Sequence, residues 1–592
     1  MSAAIAFSVA TEEPHSHRLQ VEMRIEEVEE EQLVLRMPVW TPGSYKVREY
    51  SKHVQRLEVR TEEGRECAVK KIDKAGWRVG ADGAKTLIVT YEVYAHELSP
   101  RHNHVDGSHA FFNCVATCMY PEGRLDEPVE LRVLAPKEDW EVFCGLERME
   151  GEVARFVAKD FDELFDTPVE VGPHPCFEVE VRGVRHRFVV WSDEELDLEP
   201  LRRDLPVVIE ENAEMFGGLP YERYLFINHV ARGVWGGLEH RHSSVNLFSP
   251  EHFDATERDE EGELGEKYAN ILRLLSHEHF HAYHIKRLRP VELGPFDYQG
   301  ENYTTSLWAV EGVVSYFDTY QLRRSGLIGA RRYMELLEKR IAKLEAAPGR
   351  REQSLEEASF DAWIRLYRPD EDTRNSTVSY YLKGELVVWL LDLWIRDQSD
   401  GERTMADVLR QMWREYYVER DVGFAQGDVE EAVSEQAGAD ASAVFDQLVR
   451  GRGPIEWEEF LGPVGLELCP EDECEEAGWI GVKTKKSAGR VEVSSVARGG
   501  PSEGAGVYAG DEIVAVNGWN VRDKDVEDLI AEIGPGEVVN FHLFRRHRLH
   551  HVSIVCEEAP PSSYRLKPAE EMSPRQRKLL KSWLGVTQWK TD

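Results

Sequence analysis

The spacing of hydrophobic and polar positions changes along the chain and divides it into regions. Across residues 1–172, apolar side chains recur at every second position in 19–25, 32–37, 55–60, 86–93 and 129–134, with turn residues between them. That period predicts half-buried strands packed as an antiparallel sandwich. Residues 177–191 continue as an alternating hairpin around Arg182-Gly183. From Glu194 to about Gly462 the apolar spacing lengthens to three and four, in 201–216, 266–286, 304–324, 330–346, 378–398 and 404–417. Those segments predict helices, in a mixed unit followed by a helical one. Residues 477–558 return to short strands punctuated by glycine, and the chain from 559 is a polar tail with one helical stretch at 573–584. A multidomain α+β protein follows, with a β-sandwich-like domain at 1–172, a mixed and helical domain at 173–465, a β module at 477–558 and a tail at 559–592.

Composition narrows the function more than the fold. A chain of 592 residues has room for about three or four domains, and its 42% hydrophobic share supports real cores. With 109 acidic against 72 basic residues the net charge is −37, which argues against nucleic-acid partners. No window of about 18 apolar residues exists, so no membrane span is expected. The apolar start, residues 1–10, lacks a basic flank and reads as a strand rather than a signal peptide. Eight cysteines do not suggest a disulfide framework. The pairs Cys114/Cys118 and Cys469/Cys474 lack the partner spacing of a four-cysteine zinc site, so buried free thiols and a cytoplasmic location are expected. Nothing in the pattern specifies an oligomeric state.

The candidate chemistry begins at His277-Glu278-His279-Phe280-His281, an H-E-x-x-H string within a helical segment. Imidazoles at i and i+4 share a helical face and can bind one Zn²⁺, with Glu278 placed to act on its water. His279 points elsewhere. A third ligand is expected from a second helix, and Trp308-Ala309-Val310-Glu311-Gly312 offers Glu311 among apolar neighbours, 30 residues after His281. A buried carboxylate is costly unless something such as a metal resolves its charge. Glu301 is the rival, in a loop-like stretch after Gly300.

These strings resemble a known family. His277–His281 with Trp308–Gly312 is similar to the gluzincin metallopeptidases, the clan of aminopeptidase N. Within that clan the chain resembles the glycyl aminopeptidase family that carries a C-terminal PDZ domain. Trp40-Thr41-Pro42-Gly43-Ser44-Tyr45, His109-Ala110-Phe111-Phe112-Asn113, Lys286-Arg287-Leu288-Arg289-Pro290 and Gly294-Pro295-Phe296-Asp297-Tyr298 extend the likeness over most of the chain. The run Gly506 to Gly518 resembles a PDZ domain, with Gly478-Trp479-Ile480-Gly481-Val482 where the carboxylate-binding loop of that family lies.

The resemblance implies a thermolysin-like catalytic domain with one zinc per chain, held by His277, His281 and Glu311, and Glu278 as general base. It also implies that Gly236-Gly237-Leu238-Glu239-His240 is the exopeptidase strand, with Glu239 on the substrate's α-ammonium and Gly236 and Gly237 admitting the peptide backbone. Read alone, Glu239 could be a solvent-facing strand carboxylate. Val378–Gly384 resembles the segment whose tyrosine stabilises the oxyanion, which maps to Tyr381, although Tyr380 is adjacent. The implied activity is removal of N-terminal residues, small ones such as glycine or alanine favoured, from peptides with a free N-terminus. A C-terminal peptide is the implied PDZ ligand. The rivals are a PDZ-guided zinc endopeptidase and a non-catalytic PDZ adaptor with a structural zinc, against which the intact Glu278 speaks. The chain departs from the family at His279 and Val313, where apolar or aromatic residues are usual. His102, His104, Asp106 and His109 form a histidine-rich loop that either holds a second metal or is simply polar.

Overall fold

In the computed structural model, which describes residues 3–256, 263–471, 478–521, 525–530 and 533–587, the chain divides into two units. The first comprises the chain to Tyr303 together with Phe317–Ile328 and Leu409–Ala425. The second comprises Thr304–Tyr316, Gly329–Val408 and the chain from Gln426.

The alternating segments at the start of the first unit form strands as their period requires. Ile5–Ala10 and Leu87–Tyr94 turn alternate residues into a core built on Phe7, Met23, Leu35, Val89 and Leu131. A six-stranded sheet and two four-stranded sheets surround that core. The expected purely antiparallel sandwich is corrected in one place: Ile5–Ala10 runs parallel to Val129–Leu134. More than a hundred residues separate these strands, ample for the crossover that parallel pairing requires. Alternation reports which face a strand buries and carries no information about its direction.

The hairpin Cys176–Val181 and Val184–Ser192 opens a second layer, a five-stranded sheet. Val184–Ser192, Arg223–Val230 and Ser243–Phe248 run parallel, and the last two are almost continuously buried, as strands covered on both faces are. Gly236–Glu239 closes the sheet as an antiparallel edge strand against Ser243–Phe248. Helices Glu199–Phe216 and Glu266–Phe280 pack together, the second sending Tyr268, Ile271, Leu272 and Leu275 inward.

In the second unit, Trp308–Gly312 forms a π-helical turn that continues into the helix Val313–Arg324. Helix Leu382–Gln398, buried almost all round, crosses that turn closely. A Cβ at Gly312 would collide with the backbone of Gly384 and Glu385, so only glycine permits the crossing. The C-terminal module has strand order Val482–Ser487, Arg490–Val496, Glu512–Val516, Val538–Arg545, Arg548–Val555 around Val493, Ile513, Phe541 and Ile554. It is tied to the helices of its unit where Arg498 N donates to Asn375 Oδ1 at 3.0 Å and Asn375 Nδ2 donates to the Val496 carbonyl at 2.9 Å.

The segment read as a polar tail is integrated instead. Ser563–Pro568 pairs with Leu466–Glu471, and helix Pro574–Leu584 starts from a Ser573/Gln576 capping box and buries Leu579, Leu580, Trp583 and Leu584. Burying one such face is enough to dock an otherwise charged helix. Among the described cysteines all are free, with Cys114 and Cys118 buried as expected but Cys176 exposed; Cys474 lies outside the described residues.

Candidate active site

Helix Glu266–Phe280 ends at the motif, with His281 as its C-cap in helical conformation, bonded N–H to the His277 carbonyl at 3.2 Å. The expected extension to Lys286 does not occur, yet the i to i+4 relation survives. His277 Nδ1 faces Asp318 Oδ2 at 3.0 Å, and His281 Nδ1 donates to the His284 carbonyl at 2.9 Å. A carbonyl and a carboxylate can only accept, so both Nδ1 atoms carry the proton and both Nε2 atoms present lone pairs. Those two Nε2 atoms stand 3.2 Å apart. Tetrahedral zinc at ~2.0–2.1 Å from each ligand separates two nitrogens by about 3.3 Å, so the pair fits that ion as it stands. Asp318 is itself fully buried and also holds Arg273 (3.1 Å) and the Thr319 hydroxyl (2.6 Å), an outer layer that fixes His277 in orientation and tautomer.

Glu278 and Glu239 are both buried, and with His281 they bring ligand-type atoms within 4.8 Å of one another. The edge strand Gly236–Glu239 arranges this. A Cβ on Gly237 would occupy the space of the Glu278 carboxylate, so the glycine is a requirement of Glu278 as well as of an approaching backbone. Gly236 takes a φ of 144°, beyond what side chains favour, beside open space. Arg101 Nη2 grips the Gly237 carbonyl at 3.0 Å.

Glu239 meets residues from far along the chain. Gly43, at φ 90°, lies flush against its carboxylate, which gives the Trp40–Tyr45 segment a place in the site. Trp40 Nε1 donates to the Asp297 carbonyl at 2.7 Å and holds that segment. Lys286 Nζ lies 3.9 Å from Glu239 Oε1 and 2.8 Å from Asp166 Oδ1. Burial opposes the charge on Lys286, but Asp166 and Glu239 outweigh it and hold its pKa above the ordinary lysine range. Asp166 is likewise buried at a cost, yet Lys286 and His240 keep it well below the usual carboxylate range. Glu239 Oε1 itself has no hydrogen-bond partner, an incomplete buried anion beside a cavity of about 270 Å³ lined by Trp40, Gly43, Tyr45, Asp166, Lys286 and Phe296.

In the second unit, Glu311 is buried on the π-helical turn. Tyr381 is the N-cap of helix Leu382–Gln398, its hydroxyl 2.9 Å from that of Tyr367. Burial and the nearby Glu311 charge raise the Tyr381 phenol, keeping it a neutral O–H donor. Tyr380 is fully buried beneath it, with its hydroxyl on Tyr367 at 3.2 Å. Asp318, Arg101 and Asp166 escape a reading of the sequence, because each reaches the site from a separate element, and Gly43 and Lys286 stand in strings that carry the family likeness without a role at Glu239. Asp318 carries a signal of its own, two helical turns after Glu311.

His279 is a buried strut. Asn212 Nδ2 donates to its Nδ1 at 3.1 Å, its Nε2 meets the Tyr221 hydroxyl, and that hydroxyl meets His186 Nε2 at 2.9 Å. His186 Nδ1 finishes the chain on the Val184 carbonyl at 3.0 Å. Of the histidine-rich loop, His104, Asp106 and His109 gather, while His102 turns to Glu97 at 2.9 Å.

Comparison with known proteins finds matches along most of the chain. Residues 6–173 match the Peptidase M61 N-terminal domain, 270–387 the M61 glycyl aminopeptidase and 478–555 the PDZ domain. The crystal structure of an aminopeptidase N family protein from Idiomarina loihiensis is 32% identical and superimposes with a TM-score of 0.90 over 98% of this chain and 100% of that one. An M1 zinc metallopeptidase from Deinococcus radiodurans is 14% identical over 76% of this chain and 94% of its own, with a TM-score of 0.46. Among curated proteins, a probable periplasmic serine endoprotease DegP-like from Brucella suis is 31% identical over 121 residues. That stretch is 20% of this chain and 22% of the Brucella protein's length.

Proposed function

The chain belongs to the M61 glycyl aminopeptidase family and is a zinc metallopeptidase; we propose that it trims small N-terminal residues, glycine or alanine, from peptides with a free amino end. The observation that carries this reading is the meeting of the His277/His281 nitrogen pair, Glu278 and the incompletely satisfied Glu239 beside one edge strand.

One catalytic zinc per chain would be held by His277, His281 and Glu311. Support for Glu311 comes from helix geometry: it precedes Asp318 by seven residues, two turns on one helical run, and so shares a face with the carboxylate that orients His277. When bound, the ion supplies Lewis acidity toward water and the scissile carbonyl. The chain's own residues do the rest. Glu239 receives the substrate's α-ammonium, which limits hydrolysis to the chain end. The edge strand Gly236–Glu239 aligns the extended peptide by strand addition. Glu278 takes a proton from water and returns it to the leaving amine, while the Tyr381 hydroxyl donates to the oxyanion. Lys286 and Gly43 close around Glu239, which favours a small first residue. The edge strand Val482–Ser487 of the PDZ domain is suited to a C-terminal peptide in the same manner.

Hydrolysis of glycyl-, alanyl- and leucyl-anilides, their N-acetylated forms, and Glu278→Gln as control tests this. The expected result is turnover of the free amines, fastest for glycine and alanine. Cleavage of blocked peptides with none of free amines would turn the reading into an endopeptidase. Inactivity on all substrates with zinc bound would leave a structural zinc in an adaptor.

A further inference from the structure

A second group of imidazoles lies in the first unit, apart from His277 and His281. It is built from three segments: His109 just before strand Ala110–Asn113, Glu170 and His174 in and just after Pro168–Gly172, and His229 in Arg223–Val230. His109 Nδ1 and His174 Nε2 face Glu170 Oε1 at 2.9 and 2.8 Å, and His229 Nε2 faces Glu170 Oε2 at 2.7 Å. Side-chain exposure is 1% for Glu170, 0% for His109 and His229, and 4% for His174. Water therefore does not stabilise this carboxylate.

Glu170 pairs with these imidazoles alone among the described residues; no lysine or arginine reaches it. A carboxylate this deeply buried among imidazole nitrogens is costly to keep ionised unless a cation is bound beside it.

We propose that His109, Glu170 and His229, whose ligand-type atoms lie within 4.8 Å of one another, bind a second divalent transition metal, of the zinc class. Two imidazoles and a carboxylate are ligands of the type that ion takes, and a site closed to water is structural rather than catalytic. The present contacts of His109 and His229 to Glu170 are about half an ångström shorter than the ~3.3 Å between tetrahedral zinc ligands, and the ion would open them by that amount. Each of the two rings moves its proton to the opposite nitrogen, and none is lost. For His109 that nitrogen, Nε2, already faces His104 Nδ1 at 2.7 Å, the outer partner a metal-bound imidazole calls for. The ion would join the sheet carrying Ala110–Asn113 to the sheet carrying Arg223–Val230.

Metal content of the full chain, saturated with Zn²⁺ and dialysed, tests this directly. The expected result is two equivalents per chain. One should remain in the double variant His277→Ala/His281→Ala, which leaves the second group untouched, and one in Glu170→Gln. Cobalt substitution of the double variant should give the visible absorption of a tetrahedral site. One equivalent in the unaltered chain and none in the double variant would overturn the proposal, even should Glu170→Gln fail to fold. Two equivalents retained in a folded Glu170→Gln would overturn the location.

Discussion

Two groups of histidines in one unit handle the same problem in opposite ways. At His277 and His281 the protons are drawn outward to Asp318 and a carbonyl, and bare nitrogens face one another across 3.2 Å. Around Glu170 the nitrogens face a carboxylate at hydrogen-bond length. The first arrangement makes little sense without a cation between the nitrogens. The second is chemically closed as a hydrogen-bond hub, and what points to a metal there is a buried carboxylate and two imidazoles with their ligand-type atoms within 4.8 Å of one another. The direction of the outer hydrogen bonds therefore says more about an imidazole group than the number of histidines in it. A further difference is access: the first group opens toward an edge strand and Glu239, and the second is sealed on all sides.

The sharpest test of that contrast is Glu278→Gln. It removes the general base while leaving both histidine groups intact, so kcat should fall about a thousandfold, within the usual range for such bases, with zinc content unchanged. Loss of zinc along with activity would mean that Glu278 serves the site's structure. Next is Glu239→Gln. Removing the charge that meets an α-ammonium should cost about 100-fold in kcat/KM toward glycyl-anilide, in line with a truncated buried charge pair, while N-acetylated substrates stay unaffected. Equal losses on both substrates would break the assignment. Asp318→Asn should then weaken zinc binding at His277 about 10- to 100-fold, read by competition with a chelator.

The parts of this site that were legible in the sequence are those that depend on local spacing. His277 and His281 need only one helical turn, and the helix carrying Glu311 announces itself by apolar neighbours at the same period. Tyr381 and Glu239 became readable through family likeness, since a lone tyrosine or strand glutamate carries no spacing of its own. Gly43 and Lys286 reach Glu239, Arg101 reaches Gly237 and Asp166 reaches Lys286 from elements far apart in sequence, and no local pattern encodes such a meeting. The same limit explains the parallel pairing of Ile5–Ala10 with Val129–Leu134. His279 looked like a departure from family pattern, yet its side chain is satisfied by Asn212 and Tyr221, so a polar strut replaces apolar packing. The docked helix Pro574–Leu584 was half-written in its Ser573/Gln576 capping box, while its burial depended on a surface the sequence does not describe.

The smallest expected effect concerns pH and bears on histidines outside both groups. His186 is buried and neutral, with its pKa pulled down to about 4 by burial. His102 is pulled down to about 3 by burial and by the nearby Arg48, Lys52, His53 and Arg101, despite Glu97 at 2.9 Å. In the unfolded chain both titrate near 6.5. Below that value the unfolded state takes up protons that the folded state refuses, so stability falls as pH falls, and above it these groups contribute no slope. Each accounts for at most about 1.4 kcal/mol per pH unit. The urea midpoint should therefore drop between pH 7 and pH 5.5, a window in which the carboxylates barely titrate. His186→Gln should flatten that drop, since an amide keeps hydrogen bonding to Tyr221 without a proton to gain. An unchanged slope in His186→Gln would mean that His186 is already protonated in the fold, and the directed chain from Asn212 through His279 and Tyr221 would then have to run the other way.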